Sequence, residues 1–354
     1  MSQTKNRVLI ILLCVVFVIL YIVFAFRLPG DELQLIPRWT VSVINESDAL
    51  VVSNDNQYAF KLGQNLGYFT PEGDVIFSES FPYMATISNS NWATYASNAE
   101  NIPFYDKAGN LVGNIPASGF PFFSDVGNYL LLPGGCGFSA LFADGTINWT
   151  YEDISPITAF SPYEKGVFVG YANGKLINFS KDGAILFSSV PSGSNYPVVL
   201  GGAASSSGAL TACVSGIDKQ RFILMETSNR QTKIIFHEFL EGNLREQTFV
   251  KFSKDNTKVF FNEKNGLGIV DVNNLKASHL SVEGKILAIE EMDDLNLFFV
   301  LTKKDNNYKV YIIENICNLI GSFYFKANYG FILTKDNMLY TGADTTITKT
   351  EVIR

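Results

Sequence analysis

Apolar and polar positions alternate along this chain in short bursts. The stretch Phe249–Phe261, FVKFSKDNTKVFF, shows the unit: an apolar run, the turn residues Ser253-Lys254-Asp255-Asn256, and a second apolar run. Asn, Asp and Gly tolerate positive φ, so the pattern predicts a β-hairpin. It recurs as VVSNDNQYAF from Val51, ATISNSNWATY from Ala85, FFSDVGNYLLL from Phe122 and AFSPYEKGVFVGY from Ala159. It continues as AASSSGALTACV from Ala203, IEEMDDLNLFFVL from Ile289 and ILTKDNMLYT from Ile332. The residues leading into the eight turns, 53, 88, 124, 161, 205, 253, 292 and 334, lie about 40 apart, the period of propellers and solenoids.

A second hairpin follows each of the first seven by about 20 residues, as in YFTPEGDVIF from Tyr68, FYDKAGNLVG from Phe104, LFADGTINW from Leu141 and INFSKDGAILF from Ile177. Two hairpins per period give four strands per unit, the content of a propeller blade. Helical repeats are excluded, because no unit carries 3.6-residue apolar spacing over ten residues and β-branched and aromatic residues dominate.

The ends extend the argument. The eighth unit runs NYGFILTKD, NMLYTGA, TTITKTEVI and stops one strand short, while WTVSVINE (Trp39–Glu46) is an extra strand before the first unit. The sequence thus predicts an all-β fold: a propeller of eight four-stranded blades over residues 38–354, closed by strand 38–46 joining the last blade. Closure of that kind removes sheet edges that would otherwise recruit other chains. The divergent stretch Pro191–Thr248 leaves a seven-blade division as the runner-up.

Ahead of the repeats, Val8–Phe26 is nineteen residues without a charge or proline. A helix of that length spans about 28 Å, the thickness of a bilayer core. Lys5 and Arg7 precede it, which keeps residues 1–7 cytoplasmic. The expectation is an uncleaved single-pass anchor at residues 8–26 in the inner membrane, a linker at 27–37, and a propeller in the periplasm. The run ends Val23-Phe24-Ala25-Phe26, a poor cleavage site, and Cys14 lacks the small residues that precede a lipidated cysteine.

Charge narrows the partners. The first thirty residues hold Lys5, Arg7 and Arg27 and no acid, so the remaining 24 basic residues face 34 acidic ones, a net of −10. Such a body repels nucleic acid. Cys136, Cys213 and Cys317 show no C-x-x-C spacing and are expected to be buried free thiols.

Chemistry-bearing residues are sparse. His237 and His279 fall in outer strands of neighbouring units. Met292–Leu295 and Thr302–Asn307 are acidic or Asn-rich but lack calcium-loop spacing, and Pro133–Phe138 and Gly201–Gly208 lack the Lys-Ser/Thr of a phosphate loop. No catalytic, metal or cofactor site is expected. The best candidate for partner binding is FHEFLEGNLREQ, taken as a long inter-blade connection that presents His237, Glu238, Phe239 and Arg245.

The turns FSKDN and SSSGAL, with FADGTINW and FSKDGAILF, resemble those of the quinoprotein-like and WD40-like propellers of bacterial envelopes, the BamB-like type. The resemblance covers residues 38–352. A rigid disc with many edge loops, an anchor and no chemical constellation lead to a non-catalytic scaffold for protein partners; the resemblance implies, as one case of it, a role in envelope or outer-membrane protein assembly. The chain departs from the quinoprotein enzymes in having no adjacent cysteines and only three tryptophans, so no repeated tryptophan docking is expected. Two alternatives stand beside the scaffold: a small-ligand sensor or enzyme using the axial channel, and a structural subunit of an envelope-spanning complex.

Overall fold

The computed structural model describes residues 12–21, 32–44, 56–191, 193–228, 231–315 and 317–354. Eight antiparallel sheets succeed one another along the chain, and together they form an eight-bladed propeller. Within a blade the strands are lettered a to d from the axis outward. The predicted hairpins are the a–b and c–d pairs. In blade 6 the opening stretch forms strand a (Val250–Phe252) and strand b (Lys258–Glu263). Its turn is closed by side chains: Asp255 accepts from the Thr257 amide (3.0 Å) and hydroxyl (2.7 Å), and Asn256 sits at φ 59.

The stretch 191–248 forms one complete blade, the fifth: Val199–Ala204, Leu210–Ser215, Arg221–Ser228 and Gln231–Phe239. Eight is therefore the count. Blade 1 shows three strands, Tyr58–Leu62, Asn65–Phe69 and Val75–Ser80; the strand predicted from Val51 lies outside the described residues.

Strands b and c read as unbroken apolar runs because both their faces are covered by neighbouring blades. In blade 5, Ala212, Val214, Phe222 and Leu224 pack against Val259, Phe261 and Val270 of blade 6. The alternate residues Cys213, Ile223 and Met225 pack against Phe168, Leu176 and Phe187 of blade 4. Eight such clusters fill the eight blade-to-blade interfaces, so the core is a ring of layers around the axis.

Closure follows the expected route. Gln34–Ser42 pairs antiparallel with Thr346–Ile353 and becomes strand d of blade 8. It starts at Gln34, so the last four residues of the expected linker 27–37 are strand, and the strand ends at Ser42 rather than 46. Pro37 is tolerated because this is an edge and a bulge follows it, between Pro37 and Trp39. Arg38 pairs with Glu351, and Val43, Phe60, Phe69, Tyr340 and Ile347 seal blade 8 to blade 1.

Residues 12–21 form a helix whose every residue is exposed. Among the described residues no helix is long and apolar enough to cross a membrane. The rest of the predicted span, the residues before it and residues 27–31 of the expected linker lie outside the described residues.

Two further expectations are refined. Tryptophan docking is not repeated around the ring, but it occurs at two blade interfaces. Trp39 on the outer strand of blade 8 donates its indole N–H to Pro71 O of blade 1 (3.2 Å), and Trp149 of blade 3 donates to Lys181 O of blade 4 (2.8 Å). Each ring covers a glycine of the turn it reaches, Gly73 and Gly183, both at positive φ. All four cysteines are free, but only Cys213 is buried; Cys136 and Cys317 are half-buried and Cys14 is exposed.

Candidate partner-binding face

Four antiparallel strands per blade return the chain to its starting side, so the propeller has two distinct faces. The a–b and c–d turns open on one face; the b–c turns and blade-to-blade connections open on the other. Hydrogen bonds between neighbouring loops confirm the second set. Asp344, in the b–c turn of blade 8, accepts from the amides of Asn328 and Tyr329 in the connection between blades 7 and 8 (2.8 and 3.1 Å).

The turn face is held together at the axis by ties between successive blades. Asn89 donates to Asp125 (2.8 Å), Asn256 to Ser206 (2.9 Å), and the Lys254 amide to the buried Glu291 carboxylate (3.0 Å). Burial raises the Glu291 pKa, against the opposing Lys254 amide bond and the charges of Lys251 and Lys254. A depression of about 340 Å³ opens here where the inner strands of blades 3 to 6 converge, lined by Glu164, Lys251 and Lys254 among others. Lys251 is already spent on Ile289 O (2.6 Å). The polar groups at this mouth lock blades together.

On the turn face Phe142 and Leu275 are the exposed apolar tips among the described residues. The connection face carries more: Tyr83 (73% exposed), Ile154 (96%), Tyr196 (64%) and Tyr329 (56%). Three of these are rigidly presented by an aspartate that accepts neighbouring backbone amides. Asp153 accepts from Ile154 (2.8 Å) and Ser155 (3.3 Å) and pairs with Lys175 (2.8 Å). Asp218 accepts from the Ser194 hydroxyl and from the amide (3.0 Å) and side chain (2.7 Å) of Asn195. Asp344 fixes Tyr329 in the same way. The Ser194 bond, with those from Tyr196 and Asn195, holds the Asp218 carboxyl below its usual range. For Asp153 burial works the other way, and the Lys175 bond and charge overcome it. Tyr83 follows Pro82, whose fixed φ limits the loop.

The residues expected to bind a partner are not gathered into one site. His237, Glu238 and Phe239 lie in strand d of blade 5, not in a connection; only residues 240–249 form the connection, and Arg245 is exposed within it. Successive strand residues point to opposite faces of the sheet. His237 and Phe239 therefore share one side, with ring centroids 6.0 Å apart, while Glu238 turns toward blade 6. There it meets His279, on strand d of blade 6, at 3.1 Å from Nε2, while Glu263 lies 2.6 Å from Nδ1. Burial disfavours the charged ring, but the bonds and charges of Glu263 and then Glu238 outweigh it and raise the His279 pKa. This is an inter-blade clamp.

Sequence reasoning passes over the apolar tips because each is a single residue among turn formers: FPYM, DISP, SNYP and ANYG. A lone exposed apolar residue is ordinary. Only topology puts four of them on one face.

Fold and geometry thus define a β-propeller whose connection face is studded with ordered apolar tips. A family model described as beta-propeller protein matches residues 1–354, and the chain belongs to that family. It is 29% identical over 320 residues to an uncharacterized protein of Treponema pallidum (strain Nichols), covering 88% of this chain and 85% of that one. Among solved structures, BamB from Moraxella catarrhalis superposes with a TM-score of 0.60 at 12% identity, over 90% of this chain and 100% of that chain. A chain of the mitotic checkpoint complex gives 0.54 at 10% identity, over 93% and 99%. The BamB-like resemblance is borne out as a likeness of fold.

Proposed function

We propose that this protein is a membrane-anchored, extracytoplasmic scaffold that holds a protein partner on its connection face. The observation that carries the reading is the set Tyr83, Ile154, Tyr196 and Tyr329, exposed on one face and mostly fixed by aspartates. Tyrosine anchors that are already ordered lose little entropy on binding, which is what interaction hot spots need. The partner belongs among envelope proteins, including those that assemble the outer membrane, the setting that the BamB-like fold favours. The net charge of the body lies in blades 1–5, since residues 251–354 hold thirteen basic and thirteen acidic residues. A partner surface with basic groups suits that half.

The anchor rests on residues 12–21, apolar and exposed on every side, with Lys5 and Arg7 before them. A helix with no polar face is suited to lipid. Strand Gln34–Ser42 starts beside Ile353, at the turn face, and ends beside Thr346, at the connection face. The chain therefore enters the propeller from the turn face, and the apolar tips are directed away from the bilayer.

Photo-cross-linking in cells tests this, with the reactive residue at position 83, 196 or 329 of the full-length protein, or at Lys107 or Asp182 on the turn face. The expected result is one discrete partner captured from the first three positions and not from the other two. Capture should fall at least tenfold when the remaining tips are changed to serine. Equal capture from both faces, or capture from the turn face alone, sinks the proposal.

A further inference from the structure

Arg221 opens strand c of blade 5 and is only 9% exposed, yet its side chain makes no ion pair or hydrogen bond among the described residues, and its Nη2 is fully buried without a partner. A guanidinium cannot shed its proton at physiological pH, so the charge stays and needs a counter-charge or donor-satisfying oxygen. The acid beside it in the chain, Asp218, is already committed to Ser194, Asn195 and Tyr196.

Arg221 is in register with Ser215 on strand b and Phe239 on strand d. Paired residues on adjacent antiparallel strands present their side chains on the same side. Ser215 and the exposed Phe239 thus lie on the same side of the sheet as Arg221. Gly193, in the connection from blade 4, lies over it: a Cβ there would come within 3.1 Å of Arg221 Cζ, and the backbone φ of +115 favours glycine. The guanidinium is thus roofed by bare backbone, and a side chain at 193 would press on it.

We infer that Ser215, Arg221 and Phe239, roofed by Gly193, form a binding site for a small oxyanion, a carboxylate or a phosphoryl group. The guanidinium supplies paired N–H donors matched to two oxygens. The Ser215 hydroxyl supplies a third donor, and Phe239 an apolar wall for whatever carries the anion. The site adjoins the loop that bears Tyr196, but it does not depend on that face binding a protein.

Binding is tested on the full-length protein in detergent, by calorimetric titration with inorganic phosphate and with acetate, chloride keeping ionic strength constant. The expected result is saturable one-to-one binding of one of them, weakened at least tenfold in Arg221→Met. Gly193→Ala, on an exposed connection, weakens it similarly while leaving the charge in place, and stands in should Arg221→Met fail to fold. Tighter binding of phosphate identifies a phosphoryl ligand; tighter binding of acetate identifies a carboxylate. No saturable binding of either anion beyond chloride, or unchanged affinity in both variants, overturns the inference.

Discussion

His279 links two blades through carboxylates on either side of its ring, Glu238 from blade 5 and Glu263 from its own blade. Its pKa is raised above the ordinary 6.5, so the folded state holds the proton more tightly than the unfolded chain. The clamp's contribution is therefore complete below pH 6.5 and is lost as pH rises through the raised value. Because the ring is partly exposed, the loss is small, below about 1 kcal/mol. Urea denaturation of His279→Gln should show stability that falls less with pH across this interval than in the wild type. An unchanged pH slope in the variant would remove the clamp. Trp149 is a second residue-scale test. Its indole bonds Lys181 O and its ring covers Gly183, so Trp149→Ala should cost roughly 2–3 kcal/mol, less than the loss of a fully buried tryptophan. Nothing in the tryptophan count reveals this. Docking depends on which strand lies beside which turn, and Trp149 and Gly183 are 34 positions apart.

At the scale of the element, hairpins were the most legible feature of the chain. Their turns are specified locally: Asp255 and Asn256 build the blade 6 turn from atoms within four residues of it. The connections are the opposite case. Read from sequence, the stretch from Phe236 belongs to a connection, although His237 also falls in an outer strand; strand d in fact runs to Phe239, and an outer strand is free to carry polar residues at alternate positions. Two of the aspartates that order the connections are likewise remote from what they hold, Asp218 from Ser194 and Asn195, and Asp344 from Asn328 and Tyr329. Replacing Asp218 by alanine releases those bonds, so amide exchange over residues 193–198 should quicken at least tenfold while blade interiors keep their protection. Unaltered exchange there would show that the loop is ordered by other contacts.

For the whole molecule the decisive event is closure. The three C-terminal strands need Gln34–Ser42 to finish the last blade, and the Trp39, Tyr340 and Phe69 cluster seals the ring. A chain lacking residues 1–43 leaves Thr346–Ile353 as an open edge and uncovers Tyr340 and Ile347, both fully buried in the intact ring. It should unfold at lower urea concentration and associate, since an unpaired edge beside apolar surface recruits other strands. Gel filtration and denaturation together check this; a monomer of unchanged midpoint would show that closure adds no stability.

The sequence by itself determined the period, the four-strand unit, the eight repeats and the missing strand that the N-terminus supplies. These rest on patterns two to forty residues long: alternation, turn chemistry and repetition, each written in adjacent residues. Tertiary structure alone decided which face carries Tyr83, Ile154, Tyr196 and Tyr329, which blades His279 joins, and that Arg221 is buried without a partner. Those are relations between side chains from different blades. Linear order does not encode them, because they exist only once the ring has closed and set the blades side by side.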